Sequence, residues 1–319
     1  MEMTRKEFLR TVALTGFATT FSALDPIAVL AQAGANAEGE KVDMVALLGG
    51  EPAQMFQKGM EALGGIERFV KKGDCVTIKP NIGWDKAPEL AANTNPDLIV
   101  ALINACKDAG AKEIVVFDRT CDEWRKCYEH SGIEAAAKKA GAIVQPGNDE
   151  VYYAEISLPK GVALKKAKVH KAILECDCWF NVPILKNHGG AKMTISMKNL
   201  MGIVWDRQAF HQKGLDQCIA DIGTLDKPAC LNIVDAYRLM RVNGPRGRDE
   251  SDVSLAKGLF MSTDPVAVDV AAIKFFNQFQ DMPLADVKYL EKGQDLGLGF
   301  VDVSKLNVER VKIGAPARL

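Results

Sequence analysis

The segment that most constrains this chain is 186–202, which reads KNHGGAKMTISMKNLMG. It follows an apolar run, 178–185, with the length and composition of a buried strand. A buried strand that ends in Lys-Asn-His-Gly-Gly places polar groups at its carboxyl end, which is where open α/β sheets bind ligands. The sequence therefore predicts a binding site at this point of the chain.

Strand-like apolar runs alternate with helical patterns along most of the sequence. The predicted elements include strands over 42–48, 75–78, 113–117, 229–234 and 255–261, and helices over 52–70, 134–140 and 266–279. This alternation is typical of an α/β protein with a largely parallel sheet and helices on both faces. A weak boundary at 159–168 leaves open whether the chain forms one unit or two lobes.

The amino terminus resembles a twin-arginine export signal. Residues 4–10 read TRKEFLR, with lysine in place of the second arginine, and an interrupted apolar stretch and the small residues of 31–33 follow. We therefore predict an export signal over 1–33, an α/β domain over 34–319, and a periplasmic or cell-envelope location. The apolar stretch is too short to span a membrane, so no span is expected after signal removal. An amphipathic helix that stays on the protein is the alternative.

Overall charge and cysteine spacing exclude several classes of protein. The chain has 40 Lys and Arg against 41 Asp and Glu, so global charge gives no reason to expect nucleic-acid binding. None of the eight cysteines forms a C-x-x-C pair, so four-cysteine cluster and zinc-ribbon spacings are absent. Cys121 and Cys127 could form a disulfide, bind a metal or stay free, and free thiols are favoured.

Polar residues follow several of the predicted strands, and in a parallel sheet these strand ends lie at one edge. We expect them to meet there and to form a site. The catalytic candidates are Lys186, His188, Asp118 and Asp269. The ligand-binding candidates are Lys79, Asn81, Gly189, Gly190, Lys198, Asn199, Asp235 and Arg246.

The local excess of lysine and arginine predicts a small anionic ligand, such as a carboxylate or a phosphate. Lys186 would anchor this ligand or carry a lowered pKa after its buried strand. His188 is predicted to move a proton or to bind a metal, with Asp118 or Asp269 orienting it. A metal site would require His188, Asp118, Asp235 and Asp269 to converge.

Six short motifs in register resemble one bacterial and archaeal family, catalogued as domain of unknown function number three hundred and sixty-two. The motifs are IKPN at 78–81, VVFD at 115–118, LKNHG at 185–189, MKNLMG at 197–202, NGP at 243–245 and TDPVAVD at 263–269. The resemblance covers about 42–315. Members are commonly labelled iron–sulfur proteins, but this chain lacks the four-cysteine runs of the attached ferredoxin module, and no family-wide reaction carries over.

Together these features predict an exported, cofactor-dependent enzyme, redox or metal-dependent, that acts on a small anionic substrate. Twin-arginine systems carry folded proteins that often hold a cofactor, so a metal ion or an iron–sulfur cluster is suspected although its identity is unknown. The alternatives are a non-catalytic anion- or cofactor-binding protein and an accessory subunit of a redox complex with a redox partner protein.

Overall fold

The computed structural model describes residues 41–314, so the predicted export signal lies outside the described residues. The strands of this part are β1 Met44–Leu48, β2 Cys75–Pro80, β3 Glu113–Val116, β4 Ile143–Val144, β5 Tyr153–Ser157, β6 Lys166–His170, β7 Cys178–Val182, β8 Ile184–His188, β9 Lys192–Thr194, β10 Leu231–Met240, β11 Val253–Ser262 and β12 Val308–Lys312. The α-helices are α1 Pro52–Ala62, α2 Pro96–Asp108, α3 Trp124–His130, α4 Ile133–Ala140, α5 Lys171–Glu175, α6 Ser196–Asn199, α7 Gln208–Lys213, α8 Leu215–Ile222, α9 Pro265–Phe276 and α10 Tyr289–Asp295.

One ten-stranded sheet organises the described chain, in the order β12-β1-β11-β10-β7-β2-β3-β4, with β8 beside β10 and β9 beside β8. The block β10-β7-β2-β3-β4 is parallel throughout, whereas β11 runs antiparallel to both β1 and β10. The predicted α/β class with a largely parallel sheet is therefore confirmed, with two reversed strands, β11 and β9.

Each face of the sheet is covered by its own apolar cluster. Along β1, Met44, Ala46 and Leu48 belong to one cluster, while Val45 and Leu47 belong to the other. Helix α9 packs with the first cluster, and α1 and α2 pack with the second. Because both faces of the sheet are buried, a ligand can reach the sheet only where it is exposed, such as at the ends of its strands.

Two helices begin where capping residues predict. Asn95 Oδ1 accepts from Asp97 N at 2.9 Å at the start of α2, and Asp264 Oδ1 accepts from Ala267 N at 2.7 Å at the start of α9. Proline occupies the first turn of both helices, where its missing N–H costs nothing. The predicted helix 52–70 is shorter in the structure, because α1 ends before Gly64 and Gly65, both at positive φ.

Pro183 divides the strand that the sequence predicts over 178–185. Before it β7 pairs with β2, and after it β8 pairs with β10 and carries Lys186 to His188 within the strand. The chain then turns back into β9, α6 and a 3₁₀ turn over Leu200–Ile203. The polar segment 186–202 is therefore a hairpin followed by a short helix and a 3₁₀ turn.

The boundary predicted at 159–168 falls in the hairpin of β5 and β6, which forms a separate two-stranded sheet. Strands from both sides of it share the ten-stranded sheet, and a division into two lobes stays a prediction. Within residues 41–314, no helix has the length and apolar character that crossing a membrane requires.

Candidate functional site

A cavity with about 400 Å³ of empty space, part of it open to solvent, lies at the carboxyl ends of β2, β3 and β8. Five basic side chains and one carboxylate are among its lining residues. The lining comprises Lys79, Asn81, Gly83, Trp84, Asp118, Arg119, Cys121, Lys186, His188, Thr194, Lys198, Asn199, Met201, Gly202, Arg207 and Pro245. Seven of the twelve predicted site residues are therefore together: Lys79, Asn81, Asp118, Lys186, His188, Lys198 and Asn199.

A buried ion pair forms one wall of this cavity. Lys79 Nζ lies 2.9 Å from Asp118 Oδ1, and the two side chains are 1% and 2% exposed. Asp118 also accepts from Ile82 N at 2.7 Å and from Arg119 N at 2.9 Å. Burial lowers the pKa of Lys79, and the charge of Asp118 opposes that effect. Asp118 therefore compensates the burial of Lys79 and fixes its position.

Gly202 leaves room for that ion pair. A Cβ atom at this position would lie 2.1 Å from Asp118 Oδ1 and 2.5 Å from Lys79 Nζ. Neither atom can move far, because both belong to buried, hydrogen-bonded side chains. The glycine that ends the MKNLMG motif is thus required by close packing against the site.

Asparagine side chains connect the lysines across neighbouring strands. Asn199 Oδ1 accepts from Lys79 Nζ at 2.8 Å and from Asn81 Nδ2 at 3.0 Å. Asn199 Nδ2 donates to Asn181 Oδ1 at 2.8 Å, and Asn81 Oδ1 accepts from Lys186 Nζ at 3.0 Å. Since each amide both donates and accepts, its orientation is determined. The network holds the lysine amino groups in place.

Lys186 is 1% exposed and has no carboxylate partner among the described residues. Its Nζ donates to Asn81 Oδ1 and to Ala92 O, which are both neutral acceptors. Burial lowers the pKa of Lys186 to about 7, and the charges of Lys198 and Lys79 lower it further, while Cys121 and Asp118 oppose them. The amine is therefore present in both protonation states near neutral pH.

His188 is held by the turn that follows it. Its Nδ1 accepts from Gly190 N and Ala191 N, each at 3.0 Å. Burial, together with the charges of Lys198 and Lys186, lowers the pKa of His188 to about 3. A neutral ring whose Nδ1 accepts two hydrogen bonds carries its proton on Nε2. His188 therefore presents an Nε2–H donor, and its role in proton transfer stays a prediction.

Two lining side chains that matter for ligand binding, Thr194 and Lys198, have no hydrogen-bond partner within residues 41–314, and Arg119 Nε is a further lining atom without one there. Thr194 Oγ1 is buried and unpaired, and the amino group of Lys198 makes no hydrogen bond or ion pair there. Burial lowers the pKa of Lys198 to about 8, and Arg207 and Lys79 add to this effect while Cys121 opposes it. Both groups are free to bind a ligand.

The remaining two cations, Arg119 and Arg207, lie at the loop after β3: Arg119 belongs to this loop, and Arg207 binds to it. Arg207 donates through Nη1 to Arg119 O at 3.1 Å and to Cys121 Sγ at 3.3 Å, and through Nη2 to Thr120 O. The guanidinium of Arg119 lies 4.4 Å from the ring centroid of Trp205. This loop therefore adds positive charge to the cavity with little side-chain freedom.

Five predicted site residues do not line the cavity. Asp235 accepts from Asn95 N at 2.8 Å and from Tyr237 N at 3.0 Å, and Asp269 accepts from Ser196 N at 2.7 Å and from Met197 N at 3.0 Å. Burial raises the pKa of Asp235 to about 6 and that of Asp269 to about 7. Arg246 lies 3.4 Å from Asp122 on the surface, and Gly189 and Gly190 form the exposed turn after β8.

Sequence reasoning missed several lining residues, including Thr194, Met201, Arg207 and Pro245. Pro245 reaches the cavity because Gly244 packs on β8, where a Cβ atom would lie 1.8 Å from Asn187 O. The NGP motif contained this signal. Thr194 lies within the segment 186–202 but is not among the predicted site residues, and Arg207 belongs to no quoted motif. Only the hairpin and the chain path after it bring them to the cavity.

The predicted metal set does not converge, because Asp235 and Asp269 bind backbone amides elsewhere. Across residues 41–314, no group of three or more His, Cys, Asp or Glu side chains is arranged to hold a metal ion. All eight cysteines are unpaired, in agreement with the favoured free thiols at Cys121 and Cys127. The cysteines present therefore do not fit a four-thiolate cluster.

One relative of the chain is Thylakoid-associated protein sll1697 from Synechocystis sp., which is 25% identical over 218 residues. The aligned part is 66% of this chain and 65% of that protein, so the chain spans less than two thirds of the relative's length.

Two solved structures resemble the fold at low identity. A Thermotoga maritima protein from a structural genomics consortium has a TM-score of 0.46 and 13% identity, covering 72% of this chain and 60% of that one. The lactate racemase apoprotein from Thermoanaerobacterium thermosaccharolyticum has a TM-score of 0.41 and 13% identity, covering 70% and 55%. Neither likeness extends to function.

The family comparison agrees with the motifs of the sequence. The family described as Domain of unknown function (DUF362) matches residues 76–274, more than half of the chain. That range includes β3, β8, α6 and all of β2 except Cys75, and these elements carry most of the cavity wall. The chain belongs to the DUF362 family.

Proposed function

We propose that this protein is an enzyme that binds a small organic anion in the cation-lined cavity and moves a proton with Lys186. The observation that carries the proposal is Lys186 itself, a fully buried amine bonded only to neutral oxygens. Perturbed, buried titratable groups in a cavity are typical of catalytic sites.

The charge of the cavity supports an anionic substrate. The whole chain has a formal net charge of −1, yet five basic side chains and one carboxylate line the cavity. Such an excess in a partly enclosed site attracts anions. A carboxylate or a phosphate would meet the Lys198 amine and the Thr194 hydroxyl, which have no hydrogen-bond partner in the described chain.

Lys186 is suited to accept a proton. In its neutral form the amine donates one hydrogen to Asn81 Oδ1 and one to Ala92 O, which leaves its lone pair unused. A pKa of about 7 keeps this form abundant at neutral pH, and it lets the same group return the proton. Lys79 is unsuited to this role because Asp118 pairs with it at 2.9 Å.

His188 would complete the site as a neutral donor. Its Nδ1 is occupied by two backbone N–H groups, so Nε2–H is the group left for a substrate oxygen. A neutral imidazole in this position can polarise a carbonyl or stabilise an oxyanion. The proton acceptor proposed here is therefore Lys186 and not His188.

Hydrogen exchange provides the test. Small 2-hydroxy, 2-oxo and 2-amino carboxylates would be incubated with the full chain in D₂O, and exchange at the carbon next to the carboxylate followed by NMR. We expect exchange that is much slower in Lys186→Met and unchanged in Lys112→Met, which removes an exposed lysine at the opposite end of the sheet. Equal exchange in Lys186→Met would refute proton transfer by this amine.

Capture of an anion without turnover is the second candidate. It is favoured by the mutual hydrogen bonds of Lys79, Asn81 and Asn199, which form a preorganised wall. Calorimetric titration with malonate or sulfate distinguishes the two. Binding that Lys186→Met weakens, with no exchange of any carboxylate in the panel, would favour capture over catalysis.

We also propose that the protein is exported. The twin-arginine-like sequence at 4–10 supports this, and the relative from Synechocystis sp. is named as thylakoid-associated. Cell fractionation of Arg5→Lys against Arg10→Lys tests it, since only the first change alters the Arg5-Lys6 pair that corresponds to the twin arginines. The cofactor and the redox partner stay predictions, and elemental and mass analysis of natively purified protein tests the cofactor.

A further inference from the structure

Cys121 is the one exposed thiol among the described cysteines, and it lines the cation-rich cavity. Its backbone N donates to Gly83 O at 2.8 Å, and its Sγ accepts from Arg207 Nη1 at 3.3 Å. Two hydrogen bonds therefore hold Cys121 in place, one at its backbone and one from a guanidinium to its sulfur. Partly exposed thiols in electropositive surroundings are typical of reactive cysteines.

A second observation shows that the same cavity is built to hold a ligand. Thr194 is 3% exposed, lines the cavity, and its Oγ1 has no partner within residues 41–314. A buried hydroxyl without a partner costs free energy unless something binds it. Together with the unpaired amine of Lys198, it provides a donor set beside the thiol.

We propose that Cys121 is a covalent centre of this cavity, whose thiol reacts with small carboxylates that carry an electrophilic carbon. The inference rests on the proposed anion site and adds a nucleophile to it. The cations bind the carboxylate, so the electrophilic carbon is concentrated beside Sγ. Neither the family match nor the predicted site residues include this role.

The chemical step needs no oxidant or metal. The thiol loses its proton to the solvent buffer, the sulfur attacks the carbon, and a sulfur–carbon bond forms. The bond from that carbon to its leaving group breaks, and the leaving group takes the electron pair. With iodoacetate as the probe, the leaving group is iodide and the product is S-carboxymethylcysteine.

Two alkylating reagents that differ in charge test the proposal. The full chain would be treated with iodoacetate and, separately, with the neutral iodoacetamide, and the alkylation rate of each cysteine followed by peptide mass spectrometry. The partly exposed Cys75 and Cys230 lie at the amino ends of β2 and β10 and serve as internal controls. We expect the iodoacetate-to-iodoacetamide rate ratio to be about 10-fold higher at Cys121 than at Cys75.

Matched variants assign that preference to the cavity. Lys198→Met should reduce the ratio at Cys121 towards the value at Cys75, whereas Lys112→Met, with the same change in net charge, should leave it unchanged. Malonate should protect Cys121 and not Cys75. Because the main comparison uses the unaltered protein, it does not depend on a variant that folds.

Different results would refute the covalent centre and the proposed anion site. Equal rate ratios at Cys121 and Cys75 would overturn the covalent centre, even if calorimetry shows malonate binding that depends on Lys198. A high ratio that neither Lys198→Met nor malonate lowers would also overturn it, because the preference would then arise outside the cavity. If the unaltered protein shows neither malonate binding nor the rate preference, the proposed anion site is refuted as well.

Discussion

The buried lysines that line the cavity and the buried aspartates Asp235 and Asp269 were all predicted site residues, but they have different surroundings. Lys186 and Asp269 are 1% and 0% exposed, and burial brings the pKa of each to about 7. Lys186 bonds to a side chain and a carbonyl and lines a cavity. Asp269 accepts from two backbone amides and does not line that cavity. Burial with a shifted pKa therefore does not distinguish a residue of the site from a structural anchor. The hydrogen-bond partners of the side chain and its position in the cavity lining do.

The aspartates nevertheless help to position the cavity. Asp269 fixes Ser196 and Met197 at the start of α6, the helix that carries Lys198 and Asn199. Asp221 holds the backbone N–H groups of 162–164 in the same manner. Carboxylates that bind backbone amides thus replace regular hydrogen bonding where the chain leaves the sheet.

The largest effect that distinguishes the two groups is expected from Lys186→Met. If Lys186 transfers the proton, the exchange rate should fall by about 10²- to 10⁴-fold, and the limb of its pH profile near pH 7 should disappear. Deuterium exchange by NMR across pH 5–9 measures both.

The same variant has a stability signature that requires no substrate. The pKa of Lys186 is about 7 in the folded protein against 10.5 for a free lysine, so the unfolded chain binds more protons between these values. The unaltered protein should therefore gain up to about 1.4 kcal/mol per pH unit over this range. Urea denaturation at pH 7 and pH 9 should show this gain reduced in Lys186→Met. An identical gain in both proteins would exclude a neutral buried amine.

Gly202→Ala should produce the next largest effect. Its Cβ would lie 2.1 Å from Asp118 Oδ1, so the Lys79–Asp118 pair must separate, at a cost on the order of 3 kcal/mol. Urea denaturation measures the loss, and calorimetry should show weaker malonate binding. Gly189→Ala is the comparison, because the nearest atom to its Cβ would be 4.0 Å away. Equal losses in the two variants would mean that the ion pair tolerates displacement.

Much of the cavity wall could be predicted from the sequence, because the position of these residues at strand ends can be recognised from neighbouring residues alone. Lys79, Asp118 and Lys186 each end or follow an apolar strand, and parallel strands bring such ends to one edge. The cluster of positive charge and the α/β class follow from the same alternation. No knowledge of side-chain packing is needed for these inferences.

The remainder depends on three-dimensional detail that residue type does not encode. Asp235 also lies on a strand, but its side chain turns to Asn95 N and Tyr237 N. Thr194 and Arg207 reach the cavity only through the hairpin of β8 and β9 and the turn after α6. Nor could residue type show that two amides of its own turn donate to Nδ1 of His188.

Asp269→Asn tests the structural side of the comparison. An asparagine keeps one acceptor, but its NH₂ group faces the other backbone N–H, so a loss of about 1–3 kcal/mol is expected at pH 5. The pKa of Asp269 is about 7 in the folded protein against 3.8 for a free aspartate, so the folded state binds more protons between these values. The contribution of Asp269 therefore falls as pH rises from 4 to 7, and the gap between the two proteins should narrow.

Urea denaturation at pH 5 and pH 7 measures that gap. Asp249→Asn is the control, since Asp249 caps Ser251 N at 2.9 Å in an exposed turn and should cost less. A gap that widens towards pH 7 would contradict the raised pKa. Unchanged stability at both values would show that the two amides find other acceptors.

The smallest effect is expected in the pH dependence of sulfate binding. This measurement separates the effect of the lysine charges from the effect of the cavity's shape. Sulfate keeps its charge between pH 6 and pH 9, whereas the amines of Lys186 and Lys198, with pKa values of about 7 and 8, lose theirs. Calorimetry at constant ionic strength should therefore show affinity that falls as pH rises, by a few-fold in total because other cations remain. Lys198→Met should weaken binding at pH 6 and flatten the fall near pH 8, while Lys112→Met should retain both. An affinity that stays constant from pH 6 to pH 9 would mean that neither amine faces the anion, and the cavity would then resemble the aspartate anchors in being buried, charged and structural.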